Sequence, residues 1–224
     1  MSSFVVAIDG PAGSGKSSTA RAVAQALGFS YLDTGALYRA MTWWMLNHGI
    51  NVDDAEQVTA GASQPVIELS TSPQSVVVVV DGVDVSAAIR QPQVADAVSA
   101  VSKVPQVRTR LVDLQRDLIS RGAIVVEGRD IGTVVAPNAD VKIFLTATPA
   151  ARAQRRNLDF GHSADEVKAT QAALERRDLI DSTRDVSPLV KAEDAVEVDT
   201  SDLSLEEVVV AVLAVVDSKR SVKG

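Results

Sequence analysis

Phe4-Val-Val-Ala-Ile-Asp-Gly-Pro-Ala-Gly-Ser-Gly-Lys-Ser-Ser18 carries the strongest structural signal in this sequence. Its apolar start predicts a short buried strand over residues 4–8. Residues 10–17 then match G-x-x-x-x-G-K-[ST], the P-loop pattern, in which backbone N–H groups surround phosphate oxygens. An Ala-rich helix is expected over residues 16–27, ended by Gly28. The motif therefore lies between a strand and a helix, which is the structural context that a P-loop requires.

The P-loop predicts the site for a nucleoside triphosphate. Lys16 is expected to reach the β- and γ-phosphates of ATP, and Ser17 offers a hydroxyl to Mg²⁺, which bridges phosphate oxygens. A glycine-rich turn that follows a strand by chance is the alternative interpretation. The expected ATP-binding residues are Gly10, Pro11, Ala12, Gly13, Ser14, Gly15, Lys16, Ser17 and Ser18.

The composition fits a single folded unit over residues 1–224. Apolar residues make up 46% of the chain, which is enough to form a core. The formal net charge of −7 gives no general attraction to nucleic acid or to an anionic membrane, so neither is expected as a partner. An anionic ligand must therefore be held by a local cluster of basic side chains.

The sequence also bears on the compartment. The absence of Cys excludes a disulfide framework and a thiolate metal site. The N-terminal residues lack the basic start and the long apolar stretch of a secretory signal. The longest apolar run near the C-terminus, residues 208–216, is far shorter than the roughly 20 residues of a membrane span. A cytoplasmic protein is therefore expected.

Short apolar runs alternate with helical patterns, which favours an α/β fold with a mostly parallel sheet covered by helices on both faces. The expected strands are residues 4–8, 29–32, 124–126, 141–145 and 196–198. Four further helices are expected. The first is capped by Thr34 and has an apolar stripe of Leu37, Met41, Trp44 and Met45, and the second has the apolar face Val107, Leu111, Leu114 and Leu118. The third begins with a capping box over residues 163–166 and runs to about residue 180, and the fourth covers residues 203–216.

Residues 66–85 interrupt this alternation. Three β-branched runs follow one another there, and Asp81-Gly82 between the last two is typical of a hairpin turn. We expect a small antiparallel sheet inserted into the main unit.

Arginines collect where loops should face the P-loop, and this is the pattern expected if a second anionic substrate approaches the triphosphate. Arg39 follows the second strand, and Arg129 and Asp130 follow the strand over residues 124–126. Open α/β sheets bind ligands at such strand ends. The other members of the set are Arg108, Arg152, Arg155, Arg156, Arg177 and Arg184.

Several of these polar residues have a second interpretation. Arg177, Asp181 and Arg184 are spaced to share one side of a helix, where they could form either part of a binding site or a surface salt-bridge ladder. Asp33 and Glu127 could hold Mg²⁺ through water, or could serve as a helix cap and a buried hydrogen-bonding group.

A P-loop does not by itself identify a function. A GTPase should add an Asn-Lys-x-Asp segment that reads guanine, and the sequence has none. A remodelling ATPase usually has a much larger chain. A kinase for a small molecule is therefore favoured.

The sequence resembles the bacterial cytidylate kinases, a family within the nucleoside monophosphate kinases. The resemblance extends in order over nearly the whole chain, and the Gly-Arg-Asp-x-Gly-Thr-Val-Val pattern is its most specific element. The segments that carry it are Ile8 to Ser17, Tyr31-Leu-Asp-Thr-Gly-Ala-Leu-Tyr-Arg39, Val94-Ala-Asp-Ala-Val-Ser99, Glu127-Gly-Arg-Asp-Ile-Gly-Thr-Val-Val135, Val141-Lys-Ile-Phe-Leu145 and Arg177 to Leu189.

The resemblance implies a P-loop kinase fold with a five-stranded parallel core, an inserted monophosphate-binding subdomain over about residues 36–105 and a short lid over about residues 152–165. It implies that Arg39 and Arg129 bind the acceptor phosphate, which Arg184 also reaches. Lid residues Arg152, Arg155 and Arg156 would cover the transferring phosphoryl group. The residues implied to read cytosine and pentose are Thr34, Ser99, Arg108, Asp130, Arg177, Asp181 and Arg184.

The activity implied by the resemblance is transfer of the γ-phosphoryl group of ATP to CMP and dCMP. The alternatives are a kinase for another acceptor, such as UMP or shikimate, and a nucleotide-gated regulatory NTPase. No exposed apolar stripe demands a partner subunit, so a monomer is expected.

Overall fold

The main sheet has five strands, and all of them are parallel. The computed structural model describes residues 4–160 and 167–223. The five-stranded parallel core is confirmed. Its strands are β1 (Val5–Asp9), β2 (Ser30–Asp33), β6 (Ile124–Gly128), β7 (Val141–Thr146) and β8 (Val196–Asp199). Their order across the sheet is β2-β6-β1-β7-β8.

Strand β1 lies at the centre of this sheet because it is flanked by β6 and β7 and is apolar on both faces. Val6, Ala7 and Ile8 are fully buried. In a parallel sheet all strands end at the same edge, so Asp9 in β1 lies level with Gly128 in β6. The P-loop and the segment that follows β6 therefore leave the sheet side by side.

Eight α-helices are present in the described residues. They are α1 (Lys16–Leu27), α2 (Thr34–Asn47), α3 (Ala55–Gly61), α4 (Pro92–Ser102), α5 (Pro105–Ser120), α6 (Pro149–Phe160), α7 (Val167–Thr183) and α8 (Leu205–Lys223). Helices α1 and α8 pack against one face of the sheet through Val23, Val208 and Val212. Helix α5 packs against the other face through Val112 and Leu118, as expected for a two-sided α/β layer structure.

Three details of these helices differ from the sequence prediction. Asp33 and not Thr34 caps α2, because the Asp33 side chain accepts a hydrogen bond from the backbone N–H of Ala36 at 2.9 Å. Helices α7 and α8 continue to residues 183 and 223, because apolar periodicity locates a helix better than it locates its ends. The capping box predicted at residues 163–166 lies outside the described residues.

The second sheet is antiparallel and has the order β3-β4-β5, with β3 (Ile67–Leu69), β4 (Val78–Val80) and β5 (Val83–Asp84). The predicted hairpin turn between β4 and β5 is confirmed, since Asp81 and Gly82 both have positive φ values, 50° and 80°. The predicted stripe of α2 packs against this sheet, and Met41 and Met45 are fully buried there. The small antiparallel sheet therefore shares a core with α2.

No helix within the described part of the chain is both long enough and apolar enough to cross a membrane.

Candidate active site

The P-loop forms a tight turn between β1 and α1. Gly10, Gly13 and Gly15 have φ values of 149°, 77° and 83°, which residues other than glycine rarely adopt. A Cβ atom on Gly10 would also lie 2.1 Å from the carbonyl oxygen of Leu145 in β7. No side chain caps the start of α1, so its first N–H groups are oriented toward the space where an anion would bind.

Lys16 is buried under this loop. Its Nζ donates a hydrogen bond to the Pro11 carbonyl oxygen at 2.6 Å. Burial, together with the nearby positive charge of Arg129, lowers the pKa of Lys16 to about 7. A desolvated ammonium group of this kind is strongly attracted to phosphate oxygens, because little water competes for it.

Glu127, at the end of β6, connects the P-loop with β2. Its Oε2 accepts a hydrogen bond from Ser17 Oγ at 2.9 Å, and its Oε1 accepts one from the Tyr31 hydroxyl. Burial raises the pKa of Glu127, and the negative charge of Asp33 adds to this effect. Two carboxylates and a hydroxyl at this point form a set of hard oxygen donors, which is the set that Mg²⁺ prefers.

Among the described residues, no group of three or more His, Asp or Glu side chains is arranged to hold a metal ion by itself. Beside a nucleotide, Mg²⁺ is usually bound by one or two carboxylates, with phosphate oxygens as the remaining ligands. The Ser17 hydroxyl and the Glu127 carboxylate, which lie 2.9 Å apart, fit an ion that is bound in this way.

Arg39 lies at the edge of the cleft on α2. Its guanidinium group pairs with Asp33 at 2.8 Å, and Asp33 also caps that helix. Burial alone would raise the pKa of Asp33, but the charge of Arg39 and the hydrogen bond from Ala36 lower it. Thr34 Oγ1 donates to the Glu127 carbonyl oxygen at 2.7 Å, so the start of α2 is fixed against β6.

Arg129 and Asp130 lie directly after β6 and also line the cleft. Arg129 pairs with Asp181 of α7 at 3.1 Å. Asp130 forms a buried pair with Arg108 of α5, and its other oxygen lies 3.8 Å from Arg184. The segment after β6 thus connects two helices that are far apart in the sequence.

The side chains of Asp181 and Arg184 are only 7% exposed, so they do not belong to a surface salt-bridge ladder. Arg177, one turn before Asp181, is also largely removed from water. Burial lowers the pKa of Arg177 to about 10, and the charge of Arg129 contributes. Buried arginines near one another are costly unless an anion lies between them, which favours the binding interpretation of this side of α7.

These groups line one cleft of about 760 Å³. The sequence-predicted residues in its wall are Ala12, Gly13, Lys16, Ser17, Ser18, Asp33, Thr34, Arg39, Arg108, Glu127, Arg129, Asp130, Arg156, Arg177, Asp181 and Arg184. The predicted residues outside the wall are Gly10, Pro11, Ser14, Gly15, Ser99, Arg152 and Arg155. The cleft thus joins the P-loop to most of the residues expected around an acceptor.

The three predicted lid arginines have different environments. Arg156 lines the cleft. Arg152 donates to the Ala12 carbonyl oxygen at 3.0 Å and pairs with Asp178 of α7, whose carboxylate also accepts from the Ala12 N–H at 3.1 Å. Arg155 donates to the hydroxyl and the carbonyl oxygen of Thr200. In this structure Arg152 and Arg155 therefore bind protein groups beside the P-loop.

The cleft is positively charged although the chain is acidic. Nine cationic and four acidic side chains lie in its wall. Two of the cations, Arg21 and Arg90, were not predicted, and neither were the tyrosines Tyr31 and Tyr38. The Arg21 Cζ atom lies 5.7 Å from the centroid of the Tyr31 ring. This contact joins α1 to β2, so the periodicity of α1 alone does not reveal it.

Asp9 is a further polar residue that the sequence did not single out. It is 5% exposed, and its carboxylate accepts hydrogen bonds from the backbone N–H groups of Ile131 at 2.9 Å and Gly132 at 2.8 Å. Burial raises its pKa to about 6, although those two hydrogen bonds act in the opposite direction.

Comparison with known proteins agrees with this geometry. The family model for cytidylate kinase matches residues 6–218. The cytidylate kinase of Streptomyces avermitilis is 55% identical over 221 residues, which cover 98% of this chain and 95% of that protein. The cytidylate kinases of Nocardia farcinica and of a Geobacillus species are 51% and 46% identical, and cover 92% and 96% of this chain and 90% and 96% of their own lengths.

A solved structure of an uncharacterized protein from Eubacterium ventriosum aligns with 97% of this chain and 99% of its own, with a TM-score of 0.53 and 12% identity. At this identity the likeness concerns the fold alone. The family match covers the P-loop, the insert, the segment after β6 and α7 without interruption. The chain therefore belongs to the cytidylate kinase family.

Proposed function

We propose that this protein transfers the γ-phosphoryl group of ATP to CMP and to dCMP, forming ADP with CDP or dCDP. One observation carries the proposal: a single cleft joins a P-loop to the buried cluster formed by Arg108, Arg129, Asp130, Asp181 and Arg184. A protein that only hydrolyses or senses ATP does not need a second cluster of arginines in the same cleft. The names of the relatives support CMP as the acceptor.

The reaction follows from charge and position and needs no general base. The acceptor is a phosphate oxygen of CMP that is already ionised at neutral pH. It attacks the γ-phosphorus of ATP in line, and the bond between that phosphorus and the oxygen bridging to the β-phosphate breaks as ADP leaves. Catalysis then consists of holding two anions together and stabilising the charge of the transferring group.

The donor side is proposed to consist of residues 10–18, with Lys16 directed at the β- and γ-phosphates. Ser17, with Glu127 and Asp33 through water, would hold Mg²⁺. The ion offsets charge on the phosphate oxygens when it is bound with ATP. The hydrogen bond from Ser17 to Glu127 supports this placement, because it already brings a hydroxyl and a carboxylate oxygen to 2.9 Å.

The acceptor side is proposed to bind the CMP phosphate through Arg39 and Arg129, with Arg184 also in reach. Arg152, Arg155 and Arg156 would act on the transferring group from the lid. Arg156 is already in the cleft wall, whereas Arg152 and Arg155 would have to leave their present partners.

Cytosine and pentose are proposed to be read by the residues that the family resemblance implies. These are Thr34, Ser99, Arg108, Asp130, Arg177, Asp181 and Arg184. A buried charge pair such as Arg108 with Asp130 suits this task, since a base of the wrong hydrogen-bonding pattern would leave buried groups unpaired. Ser99 lies on α4 outside the present cleft wall, so its contact would require α4 to move toward the substrate.

The remaining proposals concern the whole chain. The insert over about residues 36–105 is proposed as the monophosphate-binding subdomain, and about residues 152–165 as the lid. The described residues of that lid segment extend to Phe160, and the rest lie outside the described ranges. We further propose that the protein is a cytoplasmic monomer whose partners are ATP, CMP and dCMP.

The acceptor is tested by coupled detection of ADP with purified protein, ATP and Mg²⁺. CMP, dCMP, UMP, AMP and shikimate are supplied one at a time. Turnover with CMP and dCMP that exceeds turnover with the other acceptors by about 10²-fold or more is expected, because mismatched hydrogen-bonding groups are strongly rejected.

Other outcomes of this assay have definite meanings. Turnover with UMP or shikimate but not with CMP or dCMP would show a P-loop kinase for a different acceptor. ADP release that is independent of every acceptor would instead indicate a regulatory NTPase. Either outcome contradicts the proposed function.

A further inference from the structure

Asp9 is a buried carboxylate for which the proposed phosphoryl transfer has no direct use. It is the last residue of β1 and directly precedes Gly10, the first residue of the P-loop. Both of its carboxylate oxygens are occupied: Oδ1 accepts from Ile131 N and Oδ2 from Gly132 N. The residue before the donor loop is therefore bonded to the segment that carries the acceptor groups.

The two N–H groups that Asp9 binds lie at the start of a π-helical turn, Ile131–Val135. The N–H groups of Val134 in this turn and of Ala136 directly after it bond to carbonyl oxygens four and five residues earlier. The first N–H groups of a helical turn have no such partner and need one from outside. Asp9 supplies that partner from a position 122 residues away in the sequence.

Arg129 and Asp130 lie between two points that both depend on Asp9. On one side, Gly128 pairs with Asp9 in the register of the parallel sheet. On the other side, the Ile131 N–H is bound by the Asp9 side chain. Because only two residues separate these points, the backbone of Arg129 and Asp130 has little freedom to shift relative to the P-loop.

Ionisation of the Asp9 carboxylate costs free energy at this position. Burial opposes ionisation of Asp9, and the nearby charge of Asp130 adds to the opposition, while Lys16 favours ionisation. An uncharged side chain at this position would avoid the cost. Asparagine, the uncharged side chain of the same shape, could not present two acceptor oxygens to two successive N–H groups, because its amide has one acceptor oxygen and a donor NH₂ group.

We propose that Asp9 is a positioning residue that fixes Arg129 and Asp130 relative to the P-loop, so that the acceptor phosphate meets the γ-phosphate of ATP in line. This inference rests on the proposed function, because it assigns Arg129 and Asp130 to the acceptor side. Asp9 itself touches neither substrate. Its effect passes through the backbone of the segment after β6.

The test compares Asp9→Asn with a matched control, Asp140→Asn. Asp140 Oδ2 also accepts a backbone hydrogen bond from β1, from Val5 N at 2.7 Å, but at the end of the strand away from the cleft. Steady-state kinetics are measured with CMP and ATP varied in turn, and calorimetry measures the binding of each nucleotide alone. Thermal unfolding reports the stability of both variants.

For Asp9→Asn we expect kcat/KM for CMP to fall by about 10- to 100-fold, since a displacement of about 1 Å in a reacting group has effects of this size. In calorimetry, the affinity for CMP in the absence of ATP should fall. The affinity for ATP and the KM for ATP should stay within about twofold of the wild type. Asp140→Asn should leave all nucleotide parameters unchanged, because Asp140 lies at the end of β1 away from the cleft.

Equal losses for CMP and ATP in Asp9→Asn would overturn the proposal, and so would nucleotide parameters that match the Asp140→Asn values. If Asp9→Asn does not fold, Asp9→Ser serves in its place, because its smaller hydroxyl can accept one of the two hydrogen bonds. Failure of both Asp9 variants to fold, with Asp140→Asn folded, would show that Asp9 maintains the fold and does not set the acceptor loop. A wild-type protein inactive on CMP would refute the proposed function instead, which separates the two failures.

Discussion

Lys16 and Arg129 both line the cleft, and they lie close enough for the charge of Arg129 to lower the pKa of Lys16. Two cations that are held together in a partly dry site repel each other until anions separate them. The two substrates of the kinase carry those anions. In the proposed function, Lys16 binds the ATP phosphates and Arg129 binds the acceptor phosphate.

This division predicts different kinetic defects for two substitutions. Arg129→Ala should raise the KM for CMP by about tenfold or more with little change in ATP binding, because it removes a charged hydrogen bond to the acceptor only. Lys16→Ala should lower turnover by about 10²-fold with every acceptor. Steady-state kinetics and ATP binding by calorimetry measure both effects.

The control for these substitutions is Arg121→Ala at the end of α5, an arginine whose side chain is 63% exposed and pairs with Asp117 at the surface. It should behave as the wild type. Equal loss of ATP affinity in Arg129→Ala and Lys16→Ala would contradict the assignment.

Asp9 also predicts a dependence of stability on pH. Its pKa in the folded protein is about 6, above its ordinary value of 3.8, so the folded protein holds this proton more tightly than the unfolded chain does. The contribution of Asp9 to the free energy of unfolding is therefore largest below pH 3.8. It falls by about 3 kcal/mol as the pH rises through about 6.

Asp9→Asn removes this titration, and other titrating groups cancel in the comparison with the wild type. Urea unfolding of both proteins at several pH values between 4.5 and 7 should show the stability of Asp9→Asn improving relative to the wild type as the pH rises. A difference between the two free energies that does not change with pH would show that the pKa of Asp9 is not raised.

At the scale of elements, the turn from β1 into the P-loop depends on how closely it passes β7. Gly10 and Gly122 have nearly the same φ, 149° and 154°. A Cβ atom on Gly10 would lie 2.1 Å from the Leu145 carbonyl oxygen, whereas one on Gly122 would meet no atom within 4 Å. The pair therefore separates the cost of the backbone conformation from the cost of the contact.

Gly122→Ala is expected to lower the free energy of unfolding by about 1–3 kcal/mol, the usual cost of such a φ value in a residue other than glycine. Gly10→Ala should lower the free energy of unfolding by at least about 2 kcal/mol more than Gly122→Ala does, because β7 or the loop must move to make room for the methyl group. Urea unfolding measures both values. Equal destabilisation by the two substitutions would mean that the close approach to β7 has no energetic weight.

Elements whose signals are local could be predicted from the sequence. The first strand and helix, the parallel character of the sheet and the Asp81-Gly82 hairpin all follow from periodicity and turn chemistry within a few residues. Helix ends were less predictable. Asp33, adjacent to the expected cap Thr34, is the residue that bonds to Ala36 N, and both residue types are common caps.

At the scale of the whole molecule, the contacts that assemble the cleft could not be predicted residue by residue. The partners of Asp9, Tyr31 and Arg152 lie 122, 96 and 140 residues away in the sequence. Strand order brings them together, and periodicity does not report strand order. Arg39 and Arg129 were predictable because each follows a strand and lies in a family motif, whereas Arg21 and Arg90 of the same cleft carry no such local signal.

Following the phosphoryl group itself tests whether one cleft brings ATP and CMP together for direct transfer. The protein is incubated with γ-³²P-labelled ATP, Mg²⁺ and CMP, and the labelled products are separated. We expect the label to appear in CDP, and inorganic phosphate to gain almost none. Label that appears only in inorganic phosphate, with CMP unchanged, would contradict it.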